Sequence, residues 1–406
     1  MSDFIVNGGR RLFGDVYIDG SKNAALPIIF ATVAIKGISR IENLPDIDDV
    51  DIAFRIVESF GAKIFRDGSR AVIDTRELHY TDPPEELVSS IRASSYLIGA
   101  CLSRFGRARI RRFGGCNFEN RPIDMHIRAA VSLGASLSLG ELTAPRLVGA
   151  DIIFDKISVG ATVNALILAS GAVGRSRIYG YAKEPHVISL ADFLRKSGAE
   201  ITIFDEYIEV IGSELSDSSA YIIPDMIEAG TYILISLATG SSLRICGADT
   251  LHLGSFFDFL RPLRVNIEVS DGCVSVDGVP TGTANSVTAP YPGFPTDLQP
   301  QSAALISAFG GGRIEEGVWK GRFGYLKSLA NFGVRYTLYD GYAEIRPSKL
   351  HPANATCPDL RGGAAILICA LIAEGRSRIS GASLIKRGYG NIIKKLRGVG
   401  ADIIEI

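Results

Sequence analysis

Apolar helices and short alternating strands recur along this chain at a nearly constant interval. Each repeat begins with a run of small and apolar residues, reaches a glycine, and continues into a strand in which arginine or serine alternates with isoleucine. The glycines that close this phrase lie 64–71 residues apart; they are Gly37, Gly106, Gly174, Gly240, Gly311 and Gly375. Self-similarity at a fixed period predicts repeated folding units, here six.

A second phrase follows each first one and predicts another helix, a cap and a strand. The caps stand at Gly61, Gly134, Gly198, Arg264, Gly333 and Gly400. A glycine just past a helix end suits the left-handed conformation, and the alternating residues after it suit a half-buried strand. Turn signals at residues 66–68 and 270–272 then predict hairpins. Each unit therefore consists of a helix, a strand, a second helix and a hairpin.

The first helix of each unit has little polar face, which places it in the interior of a domain. Examples are residues 93–102, 163–172, 303–309 and 364–372. A single unit is too small to bury its own apolar face well, so neighbouring units should associate. We predict an α/β fold of two inside-out α/β domains, each of three repeated units with helices inside and sheets outside.

The two ends of the chain predict how the domains divide. The last unit stops at residues 404–406 without a hairpin partner, whereas the strand-like segments 4–6 and 14–19 open the chain. The N-terminus is therefore expected to complete the C-terminal domain. The predicted domains are residues 21–222 for the first, and residues 1–20 with 223–406 for the second.

Composition narrows the classes of partner. The chain has 406 residues, 47% apolar and 21% charged, which fits a globular protein of about two domains. Lysine plus arginine number 43 and aspartate plus glutamate 44, so no global basic field would hold the chain on nucleic acid or an anionic membrane. No apolar run reaches the roughly 18 residues that a membrane span needs, and no basic leader precedes an apolar stretch. We expect a cytoplasmic protein without nucleic-acid or membrane partners.

The cysteines and histidines lack the spacing of metal sites. The six cysteines never approach a CxxC spacing, and the five histidines form no HExxH or similar pair. We predict no metal and no cofactor, with the cysteines as free thiols in a reducing compartment. Apart from Cys116, the cysteines are expected to be packing residues.

Three of the six inner helices begin with a cation, at Lys22, Arg92 and Arg361. A cation in the first turn opposes the helix dipole, at a cost of about 0.3–1 kcal/mol, whereas an anion there is stabilised. Repetition of this cost indicates a function, since helix N–H groups and cationic side chains together would bind phosphate and carboxylate. In the alternative interpretation each cation only pairs with a neighbouring carboxylate, such as Asp359 beside Arg361.

Nine ordered motifs then carry a resemblance to a known family. They are GSKNAALP (20–27), RASSYLIG (92–99), GGC with RPIDMH (114–126), KISVGAT (156–162), KEP (183–185), EAGT (228–231), PGFPTDLQ (292–299), DLRGGAA (359–365) and KRGY (386–389). In this order they resemble the UDP-N-acetylglucosamine enolpyruvyl transferases over nearly the whole chain. The Gly-Asn-Ala-Gly-Thr phrase of the related shikimate-phosphate enolpyruvyl transferases is absent.

The resemblance implies a fold of two inside-out domains and a specific reaction. Enolpyruvate would pass from phosphoenolpyruvate to the 3-hydroxyl of UDP-N-acetylglucosamine with release of phosphate, the first committed step of peptidoglycan synthesis. The implied partners are these two small molecules, and a monomer is expected.

Roles for individual residues follow from the same resemblance. Lys22, Arg121 and Arg387 match residues that hold the phosphate and carboxylate of phosphoenolpyruvate, and the planar fork of arginine suits both groups. Asp297 matches the residue that takes the proton from the sugar 3-hydroxyl. Cys116 matches a loop cysteine linked to covalent attachment of phosphoenolpyruvate, proton delivery and product release. The remaining matches concern substrate or nucleotide binding: Asn23, Arg92, Pro122, Asp124, His126, Lys156, Ser158, Val159, Gly160, Asp225, Val318, Trp319 and Arg361.

Three of these residues also have a plainer interpretation. Neighbouring arginines favour a thiolate at Cys116, but this residue could be an inert thiol on a flexible loop. Asp297 could simply cap the helix that follows its turn. His126 could be a packed, hydrogen-bonded histidine rather than a ligand.

Several positions depart from the family pattern. Residues 117–120 read Asn-Phe-Glu-Asn where a small, flexible segment is usual, and Phe113 stands where proline is usual. Met226 replaces an expected arginine, and residues 320–321 read Lys-Gly in place of Glu-Asn. These changes leave two alternatives open: enolpyruvyl transfer to a different nucleotide acceptor, and a catalytically silent paralogue that binds nucleotide sugar.

Overall fold

The structure is a computed structural model that describes residues 2–111, 113–114 and 122–406. The predictions for Cys116 and Arg121 fall outside these ranges. The described residues between 20 and 223 form one compact unit, called the N-terminal unit below. Residues 2–19 and 224–406 form the other, the C-terminal unit. The chain opens with two strands of the latter, β1 (Phe4–Gly8) and β2 (Phe13–Tyr17).

The N-terminal unit alternates helices with short strands. Its helices are α1 (Lys22–Ala31), α2 (Asp48–Glu58), α3 (Glu85–Val88), α4 (Leu97–Phe105), α5 (Asp124–Ser132), α6 (Val159–Ser170) and α7 (Pro185–Lys196). Its strands are β3 (Ile38–Glu42), β4 (Lys63–Asp67), β5 (Arg70–Asp74), β6 (Arg107–Arg109), β7 (Ser136–Ser138), β8 (Glu141–Thr143), β9 (Asp151–Ile153), β10 (Arg175–Tyr179), β11 (Glu200–Ile203), β12 (Tyr207–Ile211) and β13 (Ser218–Tyr221). They form sheets in the orders β13-β3-β5-β4, β6-β8-β7 and β11-β12-β10-β9.

The C-terminal unit repeats the same plan. Its helices are α8 (Met226–Ala238), α9 (Gly254–Leu260), α10 (Gln299–Ala308), α11 (Leu326–Ala330), α12 (Leu360–Ile372), α13 (Ser383–Lys386) and α14 (Ile392–Gly398). Its further strands are β14 (Ser242–Cys246), β15 (Asn266–Ser270), β16 (Cys273–Asp277), β17 (Ser286–Thr288), β18 (Gly312–Glu316), β19 (Arg335–Tyr339), β20 (Tyr342–Arg346), β21 (Asn354–Thr356), β22 (Gly375–Ser380) and β23 (Asp402–Glu405). The sheet orders are β15-β16-β14-β2, β17-β18-β20-β19 and β21-β22-β1-β23.

The inside-out arrangement is confirmed by burial. Residues 161–170 of α6, 227–238 of α8 and 360–371 of α12 are all buried, whereas the strands expose every second residue over much of their length. Helices without a polar face can exist in water only when other elements surround them, and here the sheets do so. One predicted start is wrong: residues 92–96 form a 3-10 turn, and α4 begins only at Leu97.

The last repeat obtains its missing strand from the start of the chain. Strand β1 lies between β22 and β23 and is antiparallel to both, with Phe4 opposite Ile379 on one side and Glu405 on the other. Strand β2 runs parallel to β14 at the edge of a second sheet. The first residues of the chain therefore belong to two sheets of the C-terminal unit.

Left-handed residues end the second helices at the predicted positions. The φ angles are 97° at Gly61, 122° at Gly198 and 101° at Gly400. Arg264 takes the corresponding place with φ 57°, although a side chain is disfavoured in this region. The cap is thus a property of the repeat, and glycine is the residue that adopts it at least cost.

The prediction that all cysteines are free thiols is wrong for one pair. Cys246 and Cys273 form a disulfide. They are direct partners on the antiparallel strands β14 and β16, which brings together two residues 27 positions apart. Linear spacing gave no indication of this register. Cys101, Cys357 and Cys369 are buried free thiols, as expected of packing residues.

A buried ion cluster ties the opening segment to the C-terminal unit. Lys395 Nζ of α14 lies 2.7 Å from Glu228 Oε1 and 2.8 Å from Asp19 Oδ2. The other oxygen of Glu228, Oε2, accepts the backbone N–H of Asp19 at 2.8 Å. Glu228 is 2% exposed, and burial raises the pKa of its carboxyl to about 7. One lysine therefore balances two carboxylates in this cluster.

Candidate active site

Asp297 lies between two arginines of the C-terminal unit. It belongs to a short 3-10 segment, Thr296–Leu298, directly before α10. Its Oδ1 accepts from Arg322 Nη1 at 2.8 Å, and its Oδ2 accepts from Arg361 Nε at 3.1 Å. The side chain remains 29% exposed. Because each carboxylate oxygen has two lone pairs, Asp297 can still take a proton from a hydroxyl on its open side.

This geometry rules out the interpretation that Asp297 only caps the helix after it. The cap of α10 is Leu298 without a side-chain hydrogen bond, so Asp297 does not cap this helix. Asp359 caps α12, accepting from the backbone N–H groups of residues 361 and 362 at 2.9 and 3.0 Å. The guanidinium of Arg361 pairs instead with Asp297, with Nη2 at 3.0 Å from Oδ2. Arg361, at the start of α12, therefore forms an ion pair with the candidate base and not with Asp359.

Arg361 is buried and still charged. It is 2% exposed, and burial by itself lowers the pKa of its guanidinium. Tyr389 and Asp297 raise this pKa by more, so the net shift is upward. Its Cζ lies 5.2 Å from the ring centroid of Tyr389, whose hydroxyl is 2.9 Å from Thr231 Oγ1 and accepts from Gln301 Nε2 at 2.9 Å. A buried polar network thus lies beside Arg361, the ion-pair partner of Asp297.

Other predicted residues of the C-terminal unit occupy turns and helix ends. Val318 and Trp319 are half-buried in the turn after β18, where their N–H groups donate to Glu316 Oε1 at 3.1 and 3.0 Å. Asp225 caps α8 and is 4% exposed. Arg387 is half-buried and directly follows α13.

Lys22 is held by a carboxylate at the start of α1 in the N-terminal unit. Its Nζ lies 3.2 Å from Asp49 Oδ2, and the two side chains are 15% and 3% exposed. Asp49 stands in the first turn of α2, where the helix dipole favours an acid. Asn23 follows Lys22 in the same first turn and is half-buried. The amine is therefore fixed in position near two helix starts.

Several predicted nucleotide-side residues meet around His126. Its Nδ1 lies 2.6 Å from Nδ2 of the buried Asn164, an amide that donates, so the ring proton is on Nε2. A β-carbon at Gly160 would lie 3.0 Å from His126 Cε1, so the glycine leaves room for the ring. Ser158 caps the same helix, α6, accepting from the N–H of residue 161 at 3.3 Å. Arg92 lies close enough to lower the pKa of His126 further.

His126 is expected to make stability pH-dependent. Burial first, then Arg92, lowers its pKa from 6.5 to about 4. The unfolded chain therefore binds a proton as the pH falls below 6.5, and the folded chain does not until about 4. We expect His126 to account for a loss of roughly 3 kcal/mol of unfolding free energy between these values.

Urea denaturation across this pH range measures the effect. The difference in unfolding free energy between wild type and His126→Gln should shrink as the pH falls, and His351→Gln, which changes an exposed histidine, is the control. A difference for His126→Gln that does not change with pH would show that burial of the ring has no such cost.

Val159, the first residue of α6, is half-buried, and the other remaining predicted residues are exposed or lie outside the described ranges. Pro122 and Asp124 are exposed at the start of α5, and Lys156 is exposed before α6. Asp124 Oδ2 lies 3.5 Å from Arg128 Nη2. Nothing is described for Cys116 or Arg121.

Three charged residues that the sequence motifs did not indicate lie beside predicted ones in the structure. They are Asp49 beside Lys22, Arg322 beside Asp297, and Glu316 beneath Val318 and Trp319. Burial of Glu316 could have been predicted from the sequence. In the alternating strand β18 it stands two positions after Ile314 and therefore points to the same buried face. A carboxylate on a buried strand face indicates a specific role.

Within residues 2–111, 113–114 and 122–406, no group of three or more histidine, cysteine, aspartate or glutamate side chains is arranged to hold a metal ion. Over the same part of the chain, no helix combines the length and the apolar character needed to cross a membrane.

Solved structures place this architecture in a known class. The enolpyruvyl transferase NikO from Streptomyces tendae superposes with a TM-score of 0.91 at 28% identity, over 100% of this chain and 99% of that one. An EPSP synthase from Acinetobacter baumannii gives 0.74 at 15% identity, over 100% of both chains, which is a likeness of fold. The chain thus has the fold of enolpyruvyl transferases.

Sequence comparison gives the family. The family model for EPSP synthase (3-phosphoshikimate 1-carboxyvinyltransferase) matches residues 6–396. Proteins named UDP-N-acetylglucosamine 1-carboxyvinyltransferase are 40% identical in Clostridium botulinum and 37% identical in Geobacter metallireducens, each over 100% of both chains. This chain belongs to the EPSP synthase family of enolpyruvyl transferases.

Proposed function

We propose that this protein transfers enolpyruvate from phosphoenolpyruvate to the 3-hydroxyl of UDP-N-acetylglucosamine, with release of phosphate, as the first committed step of peptidoglycan synthesis. The observation that carries the proposal is the full-length similarity, at 37–40% identity, to proteins named for this activity. The position of Asp297 supports it, because a partly exposed carboxylate held by two buried arginines suits a general base.

The proposed residue roles follow the family pattern. Asp297 takes the proton of the acceptor hydroxyl, and Cys116 assists the handling of phosphoenolpyruvate and the release of product. Lys22, Arg121 and Arg387 hold the phosphate and carboxylate of phosphoenolpyruvate. Substrate and nucleotide contacts are assigned to Asn23, Arg92, Pro122, Asp124, His126, Lys156, Ser158, Val159, Gly160, Asp225, Val318, Trp319 and Arg361.

The buried networks support these roles energetically. A general base must be ionised before it can take the proton of the acceptor hydroxyl, and the ion pairs with Arg322 and Arg361 favour that form of Asp297. Arg322 and Arg361 are 4% and 2% exposed, so water does not compete for the carboxylate on that side. Substrate binding would supply positioning, which is the other large contribution to rate.

The proposal extends to organisation and location. We propose that the two compact units are the two enolpyruvyl transferase domains, residues 21–222 and residues 1–20 with 223–406. The enzyme is proposed to act as a monomer in the cytoplasm, without metal or cofactor and without nucleic-acid or membrane partners.

A phosphate-release assay with purified protein tests the function. Phosphate should appear only when phosphoenolpyruvate and UDP-N-acetylglucosamine are both present. Other nucleotide sugars, offered with phosphoenolpyruvate held constant, test the alternative acceptor suggested by Met226. Calorimetric binding of UDP-N-acetylglucosamine by folded protein without any phosphate release would favour the silent paralogue.

A further inference from the structure

Glu316 is a buried carboxylate at the end of β18 that serves two parts of the proposed site. It is 2% exposed. Its Oε1 accepts from the N–H groups of Val318 and Trp319 and from the hydroxyl of Thr288 on the neighbouring strand β17. Its Oε2 accepts from the hydroxyl of Thr296 at 2.9 Å. Four donors offset a desolvation cost that an unbonded buried carboxylate would bear in full.

Thr296 continues this chain of hydrogen bonds to the candidate base. Arg322 Nη1 donates both to Thr296 Oγ1 at 3.0 Å and to Asp297 Oδ1 at 2.8 Å. Arg322 is 4% exposed, so its donors have little access to solvent. A continuous path therefore runs from Glu316 through Thr296 and Arg322 to Asp297.

We propose that Glu316 is a positioning residue for the acceptor side of the reaction. This role rests on the proposed function: Oε1 of one rigid carboxylate holds the turn that would face the nucleotide, and Oε2 holds the base through Thr296 and Arg322. The distance between this turn and Asp297 is then fixed. A nucleotide bound at Val318 and Trp319 therefore places its acceptor hydroxyl within reach of Asp297.

The contacts of Glu316 also predict that it does not affect the binding of phosphoenolpyruvate. In the described part of the chain they include none of the residues proposed for phosphoenolpyruvate. A residue that merely stabilised the fold would lower activity toward both substrates alike. Glu316 should act on the acceptor KM through one oxygen and on kcat through the other.

Two variants separate the oxygens. Thr296→Val removes the hydroxyl that links Glu316 to the base and keeps the side-chain shape. It should lower kcat roughly 10-fold or more, the effect of losing a hydrogen bond to a charged group, with both KM values unchanged. Glu316→Ala removes both links and should in addition raise the KM for UDP-N-acetylglucosamine roughly 10-fold, but not the KM for phosphoenolpyruvate.

Glu316→Gln provides the conservative variant. Its amide oxygen can still accept from the N–H groups of Val318 and Trp319, so the acceptor KM should return to the wild-type value. Its NH2 group meets the hydroxyl of Thr296, which must then accept instead of donate. The kcat should therefore stay low, as in Thr296→Val.

Trp319 gives a readout that needs no turnover, because it is the only tryptophan of the chain. Its emission should shift in Glu316→Ala, which loses the tether of its N–H group, and should be unchanged in Thr296→Val. Titration with UDP-N-acetylglucosamine, followed by the same emission, measures its binding. The affinity should be lower in Glu316→Ala than in wild type and unchanged in Thr296→Val.

The outcomes are distinguishable. Absence of phosphate release by the wild-type protein counts against the proposed function, and the unliganded Trp319 emission still tests the tether. Normal wild-type activity with Glu316→Ala altering both KM values equally, or neither KM nor kcat, overturns the positioning role. Unchanged Trp319 emission in Glu316→Ala overturns it as well.

Discussion

Replacing Asp297 by alanine is expected to abolish turnover while nucleotide binding persists. General base catalysis contributes roughly 10²–10⁴-fold to rate, and no other carboxylate contacts both Arg322 and Arg361 in the described part of the chain. The measurement is kcat from phosphate release, together with calorimetric titration of UDP-N-acetylglucosamine. Undiminished kcat would remove Asp297 as the base.

Two controls separate loss of chemistry from loss of structure. Asp297→Ala leaves two buried guanidinium groups without their carboxylate, so thermal unfolding of the variant must be compared with that of the wild type. Asp258→Asn changes an exposed aspartate of the same unit, 66% exposed and also paired with an arginine. It should keep wild-type kcat, and a similar loss in both variants would contradict a specific role for Asp297.

Replacing Lys395 by alanine should cause a large loss in the free energy of unfolding. Lys395 is the cation within 2.8 Å of both Glu228 and Asp19, and its removal leaves two neighbouring carboxylates unpaired. Breaking a buried ion pair on one side costs about 3–5 kcal/mol. Urea denaturation followed by circular dichroism should show this decrease in the free energy of unfolding.

Lys394 supplies the matched control, because it is the exposed neighbour of Lys395 on α14. Lys394→Ala should change stability by less than about 0.5 kcal/mol. The loss in Lys395→Ala should be smaller below pH 7 than above it, since the pKa of Glu228 is already raised to about 7 and protonation relieves the repulsion. Equal stability of the two variants would show that the cluster does not hold the opening segment.

The periodicity of the sequence predicted most of the fold because each repeat has the same requirements: a capped helix end, a half-buried strand and a buried helix. Glycine caps, alternating strands and helices without a polar face recur with the period of the chain, and the structure shows them at Gly61, β4 and α6 among others. What the period did not contain was cross-strand register. The Cys246–Cys273 pair depends on which residues of β14 and β16 stand opposite each other, and no linear spacing encodes that.

The sequence predicted residues of the candidate site, but not which of them contact each other. Asp297 was recognisable in its motif, but the two arginines that hold it come from positions 25 and 64 residues further along the chain. The alternative interpretation of the sequence paired Arg361 with Asp359, two residues before it, but the carboxylate of Asp359 caps α12. Sequence proximity thus gave the wrong ion pair, because helix capping already engages that aspartate.

The most direct test of the central claim is identification of the product. Purified protein is incubated with phosphoenolpyruvate and UDP-N-acetylglucosamine, and the nucleotide fraction is analysed by mass spectrometry alongside the amount of phosphate released. The proposal predicts the 3-O-enolpyruvyl ether of UDP-N-acetylglucosamine in amounts equal to phosphate, and none with Asp297→Ala. Unmodified nucleotide sugar after prolonged incubation with folded protein would contradict it.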